Sequence, residues 1–159
     1  MATGKQHDRS IQFASLALLP CVLINPLAGI SAAACLGGGL FLSPDIDLGE
    51  NRKLPPKPVQ RLKKLHLWWW WSPFCWIRHR HALSHLPGLC TALKLAWLWL
   101  TVYVPINAAL IQMGFGRLLA TWIIPTGITW FGEVCAAGAI GLFIADVTHW
   151  AMDGFPVRW

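Results

Sequence analysis

Near the C-terminus, Asp146, His149 and Asp153 recur at i, i+3 and i+7, a spacing that sets all three on one stripe of a helix. Carboxylate oxygen combined with imidazole nitrogen suits Zn, Mn or Fe, whereas an all-oxygen set suits Mg or Ca. Groups of the same kind stand at three other places: His7-Asp8, Asp45-Ile46-Asp47 after Pro44, and His79 and His85. An extended Asp45–Asp47 segment would point both carboxylates the same way. Together, His7, Asp8, Asp45, Asp47, His79, His85, Asp146, His149 and Asp153 exceed what one tetrahedral ion needs. They allow one or two ions, with some groups standing behind the ligands.

Each cluster alone also has an ordinary reading. His7-Asp8 caps a helix start, and Asp45-Ile46-Asp47 makes a turn. His79, between Arg78 and Arg80, faces a membrane interface as a cation, while Asp146 and Asp153 pair with arginines inside a bundle. His66 and His81 read as surface residues. What weighs against four separate coincidences is the position of the clusters relative to the apolar segments.

Those segments dominate the chain. Of 159 residues, 55% are hydrophobic and only 13% charged, against about a quarter charged in a soluble domain; the mean hydropathy is +0.49. Apolar blocks at 11–24, 27–42, 86–113 and 134–152 read as membrane spans. The first two fall short of the ~20 residues that cross the hydrocarbon core and must borrow length from their flanks. The second carries Ala32, Ala33, Ala34, Gly37, Gly38 and Gly39, small residues that let helices approach closely, which places it in the middle of the bundle. Residues 114–130, interrupted by Gly114, Gly116, Pro125 and Gly127, read as irregular or re-entrant. The expected fold is therefore all-α: a polytopic transmembrane bundle of about four spans in a single membrane-embedded domain.

The loop at 49–80 differs in character. It opens with Pro55, Pro56 and Pro58, which forbid regular helix, and continues through Arg61, Lys63 and Lys64 to Trp68-Trp69-Trp70-Trp71 and Trp76. Cations beside clustered indoles mark a membrane–water interface, serving either as an anchoring collar or as a lipid-binding platform. Eight of the thirteen Lys and Arg residues lie in this loop, and Lys5 and Arg9 precede the first block. The positive-inside rule puts both regions in the cytoplasm. Four crossings then return the C-terminus to the same side, with Lys94 snorkelling from the third span. In that topology every Asp and His cluster falls at the cytoplasmic ends of the helices, on one level.

Composition also argues against other classes. The net charge of +6 suits anionic lipid better than nucleic acid, because no nucleic-acid recognition motif or basic recognition helix accompanies it. Cys21, Cys35, Cys75, Cys90 and Cys135 are scattered and never form a CxxC pair, so neither a disulfide framework nor a zinc ribbon is indicated. The start of the chain imitates a signal peptide, but Asp8 sits in what would be its positive region and a second apolar run follows at once; a retained first helix is expected.

The strings Thr3-Gly4-Lys5-Gln6-His7-Asp8-Arg9, Ser43-Pro44-Asp45-Ile46-Asp47, His79-Arg80 through Ser84-His85, and His149-Trp150-Ala151-Met152-Asp153 cover the chain in order. With them the sequence resembles a family of bacterial integral membrane proteins, found mainly in cyanobacteria, for which metal binding is inferred. It is distantly similar to membrane-bound metal-dependent hydrolases. The resemblance implies His7, Asp45, Asp47, His79, His85, His149 and Asp153 as metal ligands, with Asp8 and Asp146 as supporting groups or general bases. It also implies a bacterial inner or thylakoid membrane.

The expected function is that of a membrane metalloprotein with one or two divalent ions, Zn or Mn, at the cytoplasmic face. Its leading activity would be hydrolysis of a phosphoester or lipid-like substrate. Non-catalytic metal storage, sensing, transport or clamping of helix ends is the alternative. Membrane lipids are the expected partners.

Overall fold

The computed structural model describes residues 4–49, 55–77, 81–114 and 116–154, and for 116–131 the backbone alone. Every element among them is helical. Helix α1 (Gly4–Leu18) runs into a 3-10 turn at Leu19–Leu23, where Pro20 cannot donate the next α-helical hydrogen bond. Asn25 caps the following helix through Leu27 N–H to Asn25 Oδ1 (3.0 Å). Helix α2 spans Leu27–Phe41. A 3-10 turn at Pro44–Leu48 follows, then α3 (Lys57–Lys64), α4 (Trp68–Trp71) and a second 3-10 turn at Ser72–Trp76. Helices α5 (Ala82–His85), α6 (Pro87–Leu98), α7 (Val104–Gln112) and α8 (Gly116–Met152) complete the chain.

Helix α2 lies between α1 and α8, as its small residues predict, and glycine makes the closest approach. A Cβ added to Gly141 of α8 would collide with the Ser31 carbonyl oxygen, and one on Gly38 with the Leu142 side chain. Two serines fasten the contact: Ser15 Oγ donates to the Ala32 carbonyl and Ser31 Oγ to the Ala137 carbonyl, each at 2.8 Å. Buried hydroxyls that donate to a carbonyl of another helix act as helix-to-helix ties.

Among the described residues, three helical stretches are long and apolar enough to cross a membrane: Leu27–Leu48, Pro87–Gln112 and Gly132–Met152. The first of the four expected spans is not among them, because the helix that carries it opens on the polar run from Lys5 to Ser10. Its Phe13, Leu16, Leu23 and Ile24 are nonetheless exposed, as are Leu100, Ile106 and Ile111 of the α6–α7 stretch. Large apolar side chains directed outward over several helices are what a lipid-facing surface requires. The α6–α7 stretch is continuous through a π-helical segment at Trp99–Tyr103, just ahead of Pro105, whose missing N–H breaks the regular ladder.

Two local expectations change. Helix α3 forms despite the prolines, because Pro58 stands in its first turn, where no N–H is needed. The stretch at 114–130 has helical backbone from Gly116 onward. Around α3 and the tryptophans, Ile46, Leu62, Trp71 and Phe74 form a core against which Leu93 and Trp97 of α6 pack. The basic, Trp-rich segment therefore lies along the side of α6.

Candidate metal centre

Four segments deliver side chains to one place. The 3-10 turn after α2 starts at Ser43, whose Oγ accepts from Asp45 N–H (3.3 Å). That cap and Pro44 fix the turn that carries Asp45 and Asp47. Because the segment is 3-10 helical and not extended, residues two apart diverge by about two-thirds of a turn. Asp45 accordingly faces His149 (Oδ1 to Nε2, 3.7 Å) while Asp47 faces His85 (Oδ2 to Nδ1, 3.5 Å). His81, expected at the surface, caps α5 by accepting from Leu83 N–H (3.2 Å), and α5 carries His85. The last turn of α8 carries His149, whose Nε2 lies 3.4 Å from Asp153 Oδ2. From the first turns of α1, His7 places Nε2 3.2 Å from Asp153 Oδ1 and stacks on His149 with ring centroids 4.3 Å apart.

Asp45, His85, His149 and Asp153 each offer a donor atom, and these four atoms all lie within 4.8 Å of one another. The rings are oriented from behind. Ser84 Oγ gives its proton to the His81 carbonyl (3.1 Å), so at 3.0 Å it accepts from His85 Nδ1–H. Asp47 stands on the same side of the ring. His85 thus presents Nε2, in the tautomer a ligand needs. Ser43 Oγ lies 3.3 Å from His149 Nδ1 and fixes that ring likewise. Placed behind His85 in this way, Asp47 has the position of an orienting carboxylate.

The remaining expected site residues have other surroundings. Asp8 is held on both oxygens, by Lys57 (2.7 Å) and by two nitrogens of Arg61 (2.8 and 3.2 Å). Asp146 is held on both oxygens by Lys94 and by Thr91 Oγ1 (2.7 Å). Lys94 does not snorkel; it is buried, 2% exposed, against Asp146. His66 is exposed, and His79 lies outside the described residues.

The roles of Ser43, Ser84, Thr91 and Lys94 beside the acids and histidines were not read from the sequence, which had Lys94 snorkelling. Each had a signal: serine directly before Pro-Asp is a cap pattern, and a lone lysine in one apolar run calls for a lone aspartate in another.

Burial pushes the His7 pKa down and the neighbouring His149 adds to this, against the pull of Asp153 and Asp45. The His149 contact holds the Asp153 carboxyl down at about 2, with His7 and His85 contributing and burial opposing. Both shifts favour the deprotonated forms, which are the forms that bind metal. Asp8 is held below the ordinary carboxylate range: burial works the other way, but the Arg61 and Lys57 contacts outweigh it.

Among the described residues the protein is all-helical, with three helices long and apolar enough to cross a membrane and a carboxylate–imidazole cluster of the kind that binds metal. More specifically, residues 2–159 match the family described as uncharacterized metal-binding protein (DUF2227), and the chain belongs to that family. Neither the curated proteins nor the solved structures compared with it contain a match.

The residues fit the metal that this family implies. His149 Nε2 is buried and makes no hydrogen bond. Its separations from Asp45 and Asp153, and that of His7 from Asp153, run from 3.2 to 3.7 Å. Two ligands held about 2.1 Å from one tetrahedral ion stand about 3.4 Å apart. Asp45, His85, His149 and Asp153 would hold the ion, with His7 beside them.

Proposed function

We propose that this protein holds one divalent cation at the cytoplasmic ends of a four-crossing helical bundle and uses it to hydrolyse a phosphoester or related ester of a membrane amphiphile. The observation that carries the reading is the convergence of four donor atoms, from segments up to 108 positions apart (Asp45 to Asp153), within 4.8 Å. The outward apolar residues of α1 support its role as the fourth crossing, and the cations at Lys5, Arg9 and along 49–80 support a cytoplasmic face for the site.

A cation of the Zn or Mn kind, when bound there, polarises a substrate oxygen and brings the pKa of water from about 16 to near 7. The protein's own groups do the rest. Ser84 and Asp47 set the tautomer of His85, Ser43 orients His149, and the stacked His7 closes one side of Asp153. Asp45 is the most exposed of the four donors, its side chain 25% accessible, and marks the side from which a head group approaches. Arg78 and Arg80, next to His79 in sequence, are the proposed partners of an anionic head group. Because both oxygens of Asp8 are engaged by Lys57 and Arg61, and those of Asp146 by Lys94 and Thr91, neither is assigned the base here. Membrane lipid is the partner this reading requires, and nucleic acid has no place in it.

One observation favours a second reading. Two carboxylates and two imidazoles already satisfy a tetrahedral ion, the pattern of a structural site, and the ion would then clamp helix ends without catalysis.

The test has two parts. Metal analysis of detergent-purified protein is expected to find about one ion per chain in the wild type and a large loss in Asp45→Asn; equal metal in both removes Asp45 from the site. The metal-loaded protein is then assayed against phosphoesters and lipid esters. Turnover lost in Asp45→Asn supports hydrolysis, whereas inactivity at full metal occupancy leaves the clamp.

A further inference from the structure

We propose that the apolar cavity between the Trp-rich turn and α6 holds one acyl chain of an anionic phospholipid, with the head group at the level of the metal centre. This names the substrate class of that centre and rests on the reading of it as a site working at the membrane surface. The cavity has a volume of about 380 Å³ and is walled by Phe74, Trp76 and Ile77 on one side and Leu93, Ala96 and Leu100 on the other. Its size falls in the range of small-molecule sites, and no charged side chain among the described residues lines it. Leu93, Ala96 and Leu100 belong to the membrane-length stretch Pro87–Gln112. The mouth, where Trp76 and Leu100 are exposed, therefore opens on hydrocarbon. A lipid chain is the medium's own apolar ligand.

Depth and charge narrow the choice further. Leu93 to Leu100 lie about 9–20 Å along the helix from Pro87, at 1.5 Å per residue, and His85 stands two residues before Pro87. A chain filling the cavity thus hangs below the level of His85, and its polar end comes up beside the centre. Phe74 also lines a second, water-sized cavity of about 10 Å³ that reaches Ser43, Asp47 and Ser84 behind the ligands. One ring therefore separates the acyl chain from the groups that orient His85 and His149. The segment that walls the cavity is also the one that carries the charge. Helix α3 turns Leu62 into the same core as Phe74 and Trp71 and leaves Lys63 and Lys64 exposed. Exposed lysines on the same segment as the tryptophans complement an anionic head group and give a zwitterionic one no matching gain.

Full-length protein, purified in mild detergent and incubated with phosphatidylglycerol or phosphatidylcholine, is weighed by native mass spectrometry, with metal content measured on the same samples. About one phosphatidylglycerol per chain is expected, retained at least ~5-fold better than phosphatidylcholine. Ala96→Phe, which fills the cavity, should lose it while keeping its metal, and Lys63→Ser with Lys64→Ser should lose the head-group preference alone. Equal retention of the two lipids, or retention unchanged by Ala96→Phe, means annular lipid only and overturns the proposal. Should Ala96→Phe also lose metal, Leu100→Trp blocks the exposed mouth instead, and lipid retained by metal-loaded Leu100→Trp overturns it equally. Lipid retained selectively by a wild type that binds no metal would leave the lipid site standing and remove the metal reading.

Discussion

Two sets of buried charge lie three residues apart on α8, and they are balanced in different ways. Asp146 is met by Lys94 and Thr91 from α6, so both its oxygens are satisfied by the protein. One turn nearer the helix end, His149 and Asp153 face Asp45, His85 and His7, and among the described residues no Lys or Arg pairs with His149 or Asp153. The same residue type on the same stripe thus does two jobs. Where Lys94 supplies the cation, a buried aspartate ties α6 to α8; where the described partners are imidazoles, the cluster offers its donor atoms to an ion from outside.

The largest effects should fall on the second set. His149 faces both Asp45 and Asp153, so His149→Ala should lower metal affinity by at least ~100-fold, as read by metal analysis and calorimetry, given that even groups behind the ligands are worth 10–100-fold. In the first set, Lys94→Met leaves a buried carboxylate without its counter-charge. It should cost about 3–5 kcal/mol of stability in a detergent unfolding titration, and Lys94→Met with Asp146→Leu should recover most of that. Both variants, while folded, should bind metal within ~3-fold of the wild type. If Lys94→Met strips metal as fully as His149→Ala, the two sets are one and the distinction between them fails.

The contrast was only half legible in the sequence. Helical class, the central position of α2 and the gathering of His7, Asp45, His85, His149 and Asp153 follow from hydropathy and from where polar groups interrupt it, because apolar runs have few ways to fold in lipid. Spacing alone could not separate the two sets: Asp146, His149 and Asp153 share a stripe whatever they face. The partner of Asp146 sits 52 positions away as Lys94, and pairing across helices is a tertiary fact. Asp47 shows the same limit. Its direction depended on whether Ser43-Pro44 starts an extended segment or a 3-10 turn, and capping by Ser43 Oγ decided for the turn. Where α1 stops being regular was not marked by hydropathy either, since Pro20 converts its last turn to a 3-10 one within the apolar run.

A finer test concerns what stands behind the ligands. Asp47→Asn keeps the shape beside His85 but removes the negative charge facing Nδ1. Metal affinity should fall by about 10–100-fold, less than for His149→Ala, with little change in fold. An effect as large as that of His149→Ala would make Asp47 a ligand in its own right.

The smallest effect should come from Asp8, next to His7 in the chain yet turned to Lys57 and Arg61. Arg61 also donates to the Leu40 carbonyl (2.7 Å), so this ion pair fastens α3 to the start of α1 and the end of α2. Lys57 is 40% exposed and Arg61 28%, and solvent screening discounts such contacts to about 1 kcal/mol or less. Asp8→Asn should therefore lower the unfolding midpoint slightly and change metal affinity by less than ~3-fold, because His7 keeps its place on α1. Any hydrolytic turnover should survive as well. A general base is worth about 100-fold or more, so a loss of that size at full metal occupancy would turn Asp8 from a brace into a participant, and would move the boundary between the two kinds of buried charge from α8 to α1.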